Sequence, residues 1–420
     1  MTKTAQHGKA ALGFIFVTIF IDVLGLGIII PILPKLLEEL AGVDISMASQ
    51  YSGWLTFTYA TMQFIFAPVL GNLSDRYGRR PVLLTSLFGF GIDYLSMAYA
   101  PTIAWLFVGR FIAGMAGAST TTATAYIADV STGEKRAANF GLIGAATGLG
   151  FILGIGLGGF LGEIGIKIPF LVAAGLAFLN FFYGLVVLPE SLAKENRRAF
   201  MWKRANPVGS LLRLRKYSLA VSTLITAYTI VYIGQKAVES VLPFYLIEKF
   251  KWTLPSISSL GIFIGLLIAG IQGGFVRWTI PKFGLRKNIL AGIAFYGIGL
   301  ILIAFNNVGW LMYIFMIPYC LGGLGGTALQ GFISDHVPAN EQGELQGALT
   351  SLVSITTVVG PLLMTSLFHH FTTKESDIYF PGAPFLMGAI LMMISVLLTI
   401  RSFKKKDDSK TLPPNTILTH

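Results

Sequence analysis

Apolar residues in this chain come in long blocks rather than at a simple helix or strand period. Twelve such stretches cover 10 to 33, 51 to 70, 81 to 100, 103 to 128, 139 to 162 and 168 to 188, then 217 to 235, 253 to 276, 288 to 305, 308 to 334, 345 to 368 and 379 to 400. Crossing a hydrocarbon layer about 30 Å thick takes roughly 20 helical residues, and each block is near or above that length. Barrel strands need only about 10 residues of alternating polarity and are excluded. A backbone in lipid must satisfy its own N–H and C=O groups, which leaves helices. The pattern predicts an all-α integral membrane protein with twelve transmembrane helices, α1 to α12 in this order. The first block is expected to stay as α1, because it is longer than the apolar part of a secretory signal, carries Asp22 and has no small-residue cleavage site.

The polar segments divide the blocks six and six. The longest connection, 189 to 216, carries Lys194, Arg197, Arg198, Lys203, Arg204, Arg213, Arg215 and Lys216. The expected organisation is a six-helix bundle over 1–188, a cytoplasmic linker over 189–216, a second six-helix bundle over 217–402 and a disordered cytoplasmic tail over 403–420. Leu211, Leu212 and Leu214 beside Arg213 and Arg215 suit either a segment lying on the membrane surface or a solvated linker. An internal repeat relates the halves at a constant offset of 206 residues: Gly78 maps to Gly284, Arg80 to Arg286, Asp129 to Asp335, Gly141 to Gly347 and Gly154 to Gly360. Repeats of one orientation build transporters whose substrate site lies between the halves.

Composition agrees with a lipid environment, since 54% of the 420 residues are hydrophobic and 12% charged, where soluble proteins have about 25% charged. The 48 glycines fall inside the apolar blocks as well as between them. Gly150, Gly154, Gly158 and Gly162 recur every four residues, which flattens one face of α5 for close helix contact, and Gly159, Gly360 and Pro361 are grouped with them as packing positions. The single cysteine, Cys320, excludes an internal disulfide and a thiolate metal cluster, and it reads as a small packing residue. The formal charge of +11 would permit nucleic-acid binding. However, 24 of the 31 lysines and arginines lie at the termini and in the even-numbered connections. That bias is the one that orients membrane proteins, so both termini are expected in the cytoplasm and no basic patch remains for a nucleic acid.

Between α2 and α3 stands Gly71-Asn-Leu-Ser-Asp75-Arg76-Tyr-Gly78-Arg79-Arg80-Pro81. Gly78 can take the left-handed backbone of a tight turn, Pro81 suits a helix start, and the three arginines hold the turn at an anionic interface. Asp75 is placed to bind arginine or a helix N-terminus. This pattern resembles the loop signature of the major facilitator superfamily. Ile21-Asp22-Val23-Leu24-Gly25 through Pro34, Ile92-Asp93-Tyr94, Gly109-Arg110-Phe111-Ile112-Ala113-Gly114, Gln342-Gly343-Glu344-Leu345-Gln346-Gly347 and Gly360-Pro361-Leu362-Leu363 are similar to the tetracycline efflux branch of its twelve-helix drug:proton antiporters. The resemblance implies proton-coupled efflux by two six-helix repeats. It further implies Asp22, Asp93 and Arg110 as the functional membrane residues, and Gly71, Asp75, Arg76, Gly78, Arg79 and Arg80 as part of a gate. This chain departs from the branch at Tyr296, where the tetracycline pumps have an acid in α9. It also departs at Ile155, where the antiporter motif of α5 has proline.

Read from the residues alone, Asp22, Asp93 and Arg110 lie roughly 16 to 19 Å inside their helices at 1.5 Å per residue, so they share a level. Charges there should face the protein interior or a wet cavity. Arg110 can pair well with one carboxylate, which leaves the other to carry a proton or to tie helices together by hydrogen bonds. The five histidines lie away from that level. The second half is expected to lack a midplane charge, and on α7 Tyr228, Tyr232, Gln235 and Glu239 form one polar stripe suited to a substrate path or to an interhelical seam. Tyr296 is a further candidate contact. The absence of GxxxxGK[ST] excludes P-loop nucleotide hydrolysis.

The reading that results is export of a cationic or neutral amphipathic small molecule, tetracycline-like or other, by alternating access. The partners are the substrate, protons and the bilayer, with no cofactor, metal or nucleic acid, and the chain is expected to act as a monomer. Proton-coupled nutrient uptake is the alternative. A membrane enzyme or a sensor ranks below both, because no chemical cluster and no appended domain is visible.

Overall fold

The computed structural model describes residues 3–117, 119–131, 133–201, 217–338 and 341–410. The first six helices are α1 (Lys3–Ala41), α2 (Ile45–Tyr77), α3 (Arg79–Tyr99), α4 (Ile103–Ala116 continuing as Ser119–Val130), α5 (Gly133–Ile164) and α6 (Ile168–Val187). The second six are α7 (Leu219–Phe250), α8 (Leu254–Gly270, a π-helical turn over Ile271–Phe275, then Val276–Phe283), α9 (Leu285–Ala304), α10 (Leu311–Leu321 and Gly323–Ser334), α11 (Gln342–Thr372) and α12 (Ala383–Lys410). Among the described residues, eleven are long and apolar enough to cross a membrane. The other, α2, has the length at 33 residues but too much polarity. Its neighbours explain this, because α2 packs against α4 on one side and α11 on another and so shows little surface to lipid.

Two expectations need correction. The block 217 to 235 is only the first part of α7, which continues to Phe250 and thereby takes Lys236 and Lys249 into a helix rather than a connection. Pro243 lies inside this helix without ending it, just as Pro31 and Pro34 lie inside α1. At the other end of the chain, α12 extends to Lys410, past the boundary at 403. Residues Lys203, Arg204, Leu211, Leu212, Arg213, Leu214, Arg215 and Lys216 lie outside the described residues.

Helix contacts repeat between the halves. The pairs α1–α5, α1–α6, α2–α4 and α3–α6 recur as α7–α11, α7–α12, α8–α10 and α9–α12. Two further contacts, α2–α11 and α5–α8, join one half to the other and are exchanged by the same relation. Gly78 and Gly284, equivalent in the repeat, show what the offset preserves locally. Both have positive φ, 110° and 80°, and each sends its N–H back to close the preceding helix, to Ser74 O at 3.1 Å and Ile280 O at 2.9 Å. A side chain is strained at such φ, which accounts for glycine at both positions.

Among the described residues, the close contacts between the halves lie toward one end. At the end away from both termini, Ser46 on α2 bonds His369 Nδ1 at 3.0 Å and accepts from Thr372 at 2.8 Å on α11. Gly53 lies against Thr365 and Leu362 of the same helix. On the opposite side of the molecule, Gly159 of α5 abuts Ser258 of α8, and a Cβ built on Gly261 or Gly265 would lie 3.6 and 3.7 Å from the Cβ of Ile155 and Ile152. Toward the basic end, which carries the termini, the same helices separate. Gly141, Gly144 and Gly148 of α5, Gly270, Gly273 and Gly274 of α8, and Gly347 of α11 have nothing within 4 Å of the space a side chain would take. Among the described residues, the molecule is therefore closed at the far end and open at the basic end.

Candidate functional site

Asp22, Asp93 and Arg110 all turn inward and are at most 9% exposed. Arg110 Nη2 donates to Asp93 Oδ2 and lies 3.0 Å from Met97 Sδ, while the guanidinium sits over the Tyr59 ring at 5.7 Å. Gly109 permits this pairing, since a Cβ there would lie 2.9 Å from Asp93 Oδ1. Asp22 stands on the face of α1 that also presents Thr18 and Gly25, and Thr18 accepts a hydrogen bond from Asn180 of α6 at 3.2 Å. The phenol of Tyr94 fills the space beside Gly25. Tyr94 of α3 thus touches α1, and Tyr59 of α2 lies under Arg110, so two tyrosines flank the α3–α4 ion pair. Tyr59 and Tyr94 escaped the sequence reading because aromatic residues in an apolar block carry no signal of position.

In the second half the repeat offset brings Tyr228 to the place of Asp22, Gly299 to that of Asp93 and Met316 to that of Arg110. Tyr228 is buried and its ring lies 4.6 Å from that of Tyr232. Gln235 is half-buried and Glu239 exposed, so the α7 stripe passes from the bundle core into open space. Tyr296 packs edge to face on Tyr319 at 5.2 Å and covers Gly322, where α10 breaks. A charge pair lies inside the second half, away from the level of Asp22. Lys236 is buried in α7 and its Nζ bonds Glu239 Oε2 at 2.5 Å. With the apolar block ending at 235, Lys236 is expected in a connection, whereas Glu239 is already expected on the α7 stripe.

The loop between α2 and α3 is held by acids on three sides. Arg79 Nη1 bonds Asp75 Oδ1 and Ser74 Oγ, each at 2.6 Å, and its Nε reaches Asp129 Oδ2 on α4 at 3.2 Å. Glu190, just beyond α6, accepts the Arg79 N–H at 2.8 Å and the Arg80 N–H at 3.3 Å. It thus serves as the anionic cap at the start of α3, in the role considered for Asp75. Arg80 donates to Leu185 O at 2.6 Å, Arg76 lies over the Tyr77 ring, and the Arg198 N–H reaches Asp75 O at 3.0 Å. Gly71 is open on its free side. Every one of these bonds stays within the first half and the start of the linker. Glu190 was missed because it is distant in sequence; its only signal was an acid at a helix end beside a basic loop.

The small residues fall into two sets. A Cβ on Gly150, Gly154 or Gly158 would strike the α1 backbone at Phe20, Leu24 or Ile28, so that row seats α5 on α1. Gly159 faces α8 instead, in the seam between halves. Gly360 of α11 lies on the stem of Lys236, and the next residue, Pro361, accepts from Thr365 at 2.9 Å.

The family model for the Major Facilitator Superfamily matches residues 15–282 and 275–418. The class C tetracycline resistance protein of Escherichia coli is 39% identical over 385 residues, 91% of this chain and 95% of that protein. The class G protein of Vibrio anguillarum is 37% identical over the same shares. Among solved structures, the nucleoside transporter NupG superimposes with a TM-score of 0.75 at 13% identity over 94% of this chain and 99% of its own, a likeness of fold. With twelve helices in two related bundles and a loop of the expected pattern, this multi-pass membrane chain belongs to the Major Facilitator Superfamily.

Proposed function

We propose that this chain is a proton-coupled exporter of cationic or neutral amphipathic small molecules. It acts as a monomer in the inner membrane, with both termini cytoplasmic, and it moves its substrate without chemically altering it. The observation that carries this reading is the placement of Asp22, Asp93 and Arg110. Two acids and one arginine lie inside the first half of a protein that is open at its basic end, and the similarity to tetracycline resistance proteins points the same way.

Asp22 is the proton carrier, because Asp93 is committed to Arg110. When the molecule opens outward, Asp22 takes a proton; when it opens inward, an arriving cation favours the ionised form and the proton leaves to the cytoplasm. Proton and cation exclude one another at this site, and that is sufficient for opposed flows. Tyr228, Tyr232, Gln235 and Tyr296 form the substrate wall in the second half. The loop from Gly71 to Arg80 closes the basic end during the return.

Everted membrane vesicles with an imposed pH difference test the reading. Ethidium should be concentrated inside them when the interior is acidic and released when the gradient is collapsed. No pH-driven accumulation of any member of a panel of amphipathic drugs would refute it.

A further inference from the structure

Resting on the exporter reading, we propose that Glu239 on α7 is the cation-recognition residue of the second half, and that Lys236 is a tethered cation occupying it until a substrate amine or quaternary ammonium displaces it. Four observations converge on this pair. Lys236 has a side chain only 10% exposed, whereas that of Glu239 is 53% exposed, although Glu239 lies eleven residues before the end of a membrane helix. A charged side chain that open on a membrane helix must reach water rather than lipid tails.

The lysine is built in: its stem lies against Gly360 of α11, where a Cβ would come within 2.6 Å of Lys236 Cγ. Its ammonium lies 2.5 Å from Glu239 Oε2, one turn along the same helix. Around the carboxylate, Tyr296 and Tyr319 are within its electrostatic reach, and Tyr232 acts on Tyr296 in turn. A carboxylate whose charge reaches the Tyr296 and Tyr319 phenols suits a delocalised organic cation, which takes charge from the one and can take ring contact from the others.

The pair also differs from a structural ion pair in which both partners are shut away. Here one partner is fixed and covered while the other is exposed, so a soluble cation can approach Glu239 without unpacking Lys236. The charges of Asp22, Asp93 and Arg110 lie in the other half, and Tyr228 stands at the level of Asp22. By helix rise Lys236 lies about 12 Å beyond that level toward the closed end. A ligand at Glu239 is therefore about 16 Å from the level of Asp22, toward the closed end.

The test is equilibrium binding of radiolabelled tetraphenylphosphonium to the purified full chain. Wild type should bind it saturably. Glu239→Gln should weaken binding about tenfold, the scale of one charge-assisted contact, and Glu239→Asp should restore part of it. Lys236→Gln should tighten binding, because it removes the competing cation. Opposite signs for the two variants are the signature, since loss of either side of a merely structural pair would weaken binding alike. Should Glu239→Gln fail to fold, Lys236→Gln/Glu239→Gln removes both charges together and should lose the binding that Lys236→Gln alone improves. Absence of wild-type binding, an unchanged affinity in Glu239→Gln, or weakening by both single variants would overturn the proposal. Vesicle flux is a separate readout, so failure of pH-driven export with this binding pattern intact would refute the exporter reading and not the site.

Discussion

Neutralising Asp93 and neutralising Asp22 should have different consequences. Asp93 is bonded to Arg110 and almost fully covered. Asp93→Asn leaves a buried guanidinium without its counter-ion, a loss of about 3–5 kcal/mol, and should reduce the amount of folded protein seen by size-exclusion chromatography. Asp22→Asn should leave folded protein unchanged, abolish pH-driven accumulation in vesicles and retain downhill exchange. If that variant still concentrates substrate against its gradient, the proton assignment moves to Asp93. In the loop, Asp75→Asn should lower flux severalfold with normal expression, because Ser74 and Asp129 still hold Arg79. Glu190→Gln removes the charged cap of α3 and should lower thermal stability first, by about 2–4 °C for each kcal/mol lost. Individual charges in apolar blocks were legible in the sequence because so few residues there are charged. Their partners were not: Glu190 lies more than a hundred residues from Arg79, and only folding brings the two together.

Helices in this protein are shaped by where they must come close. Gly154 seats α5 on the α1 backbone, while Gly148, less than two turns away, faces empty space. Gly154→Ala should therefore sharply reduce the yield of folded protein, because overpacking costs about 1–3 kcal/mol even where side chains can yield and here the obstacle is backbone. Gly148→Ala should be neutral or slightly stabilising, since alanine favours a helix interior. Equal effects would show that the row every four residues is not a contact face. The row itself was visible from spacing, but the division of labour with Gly159, which faces the other half, was not. Helix length was the weaker inference. Lys236 and Glu239 interrupt the apolar block of α7, and a reading based on hydropathy stops there; the helix continues because a charge that is paired and facing a cavity need not end it.

At the scale of the whole molecule, the repeat, the count of helices and the two-bundle fold were legible because lipid imposes them on every crossing. The conformation was not, since opening and closing leave the sequence unchanged. It is the seam at the far end that defines the state, and it can be fixed covalently. In a Cys320→Ala background, Ile155→Cys with Gly261→Cys places two Cβ atoms at 3.6 Å, within the ~3.5–4.5 Å of a disulfide. Oxidation should stop transport and dithiothreitol should restore it; continued flux with the cross-link formed would show that this seam does not open. Substrate choice is also a property of the assembled halves. With Tyr296 in α9, expression in an efflux-deficient host should give little tetracycline resistance and greater resistance to aromatic cations. Strong tetracycline resistance would show that this position does not select.

The glycine seam has a consequence for loading. A ligand whose competent state is only a fraction of the ensemble has its affinity reduced by that fraction. With the far end shut, a molecule in the cytoplasm meets this conformation already open, whereas the same molecule outside must wait for the seam to part. The closed seam thus sets the side from which this conformation is loaded, while the net direction of transport must come from a gradient, since a carrier without one passes substrate equally both ways.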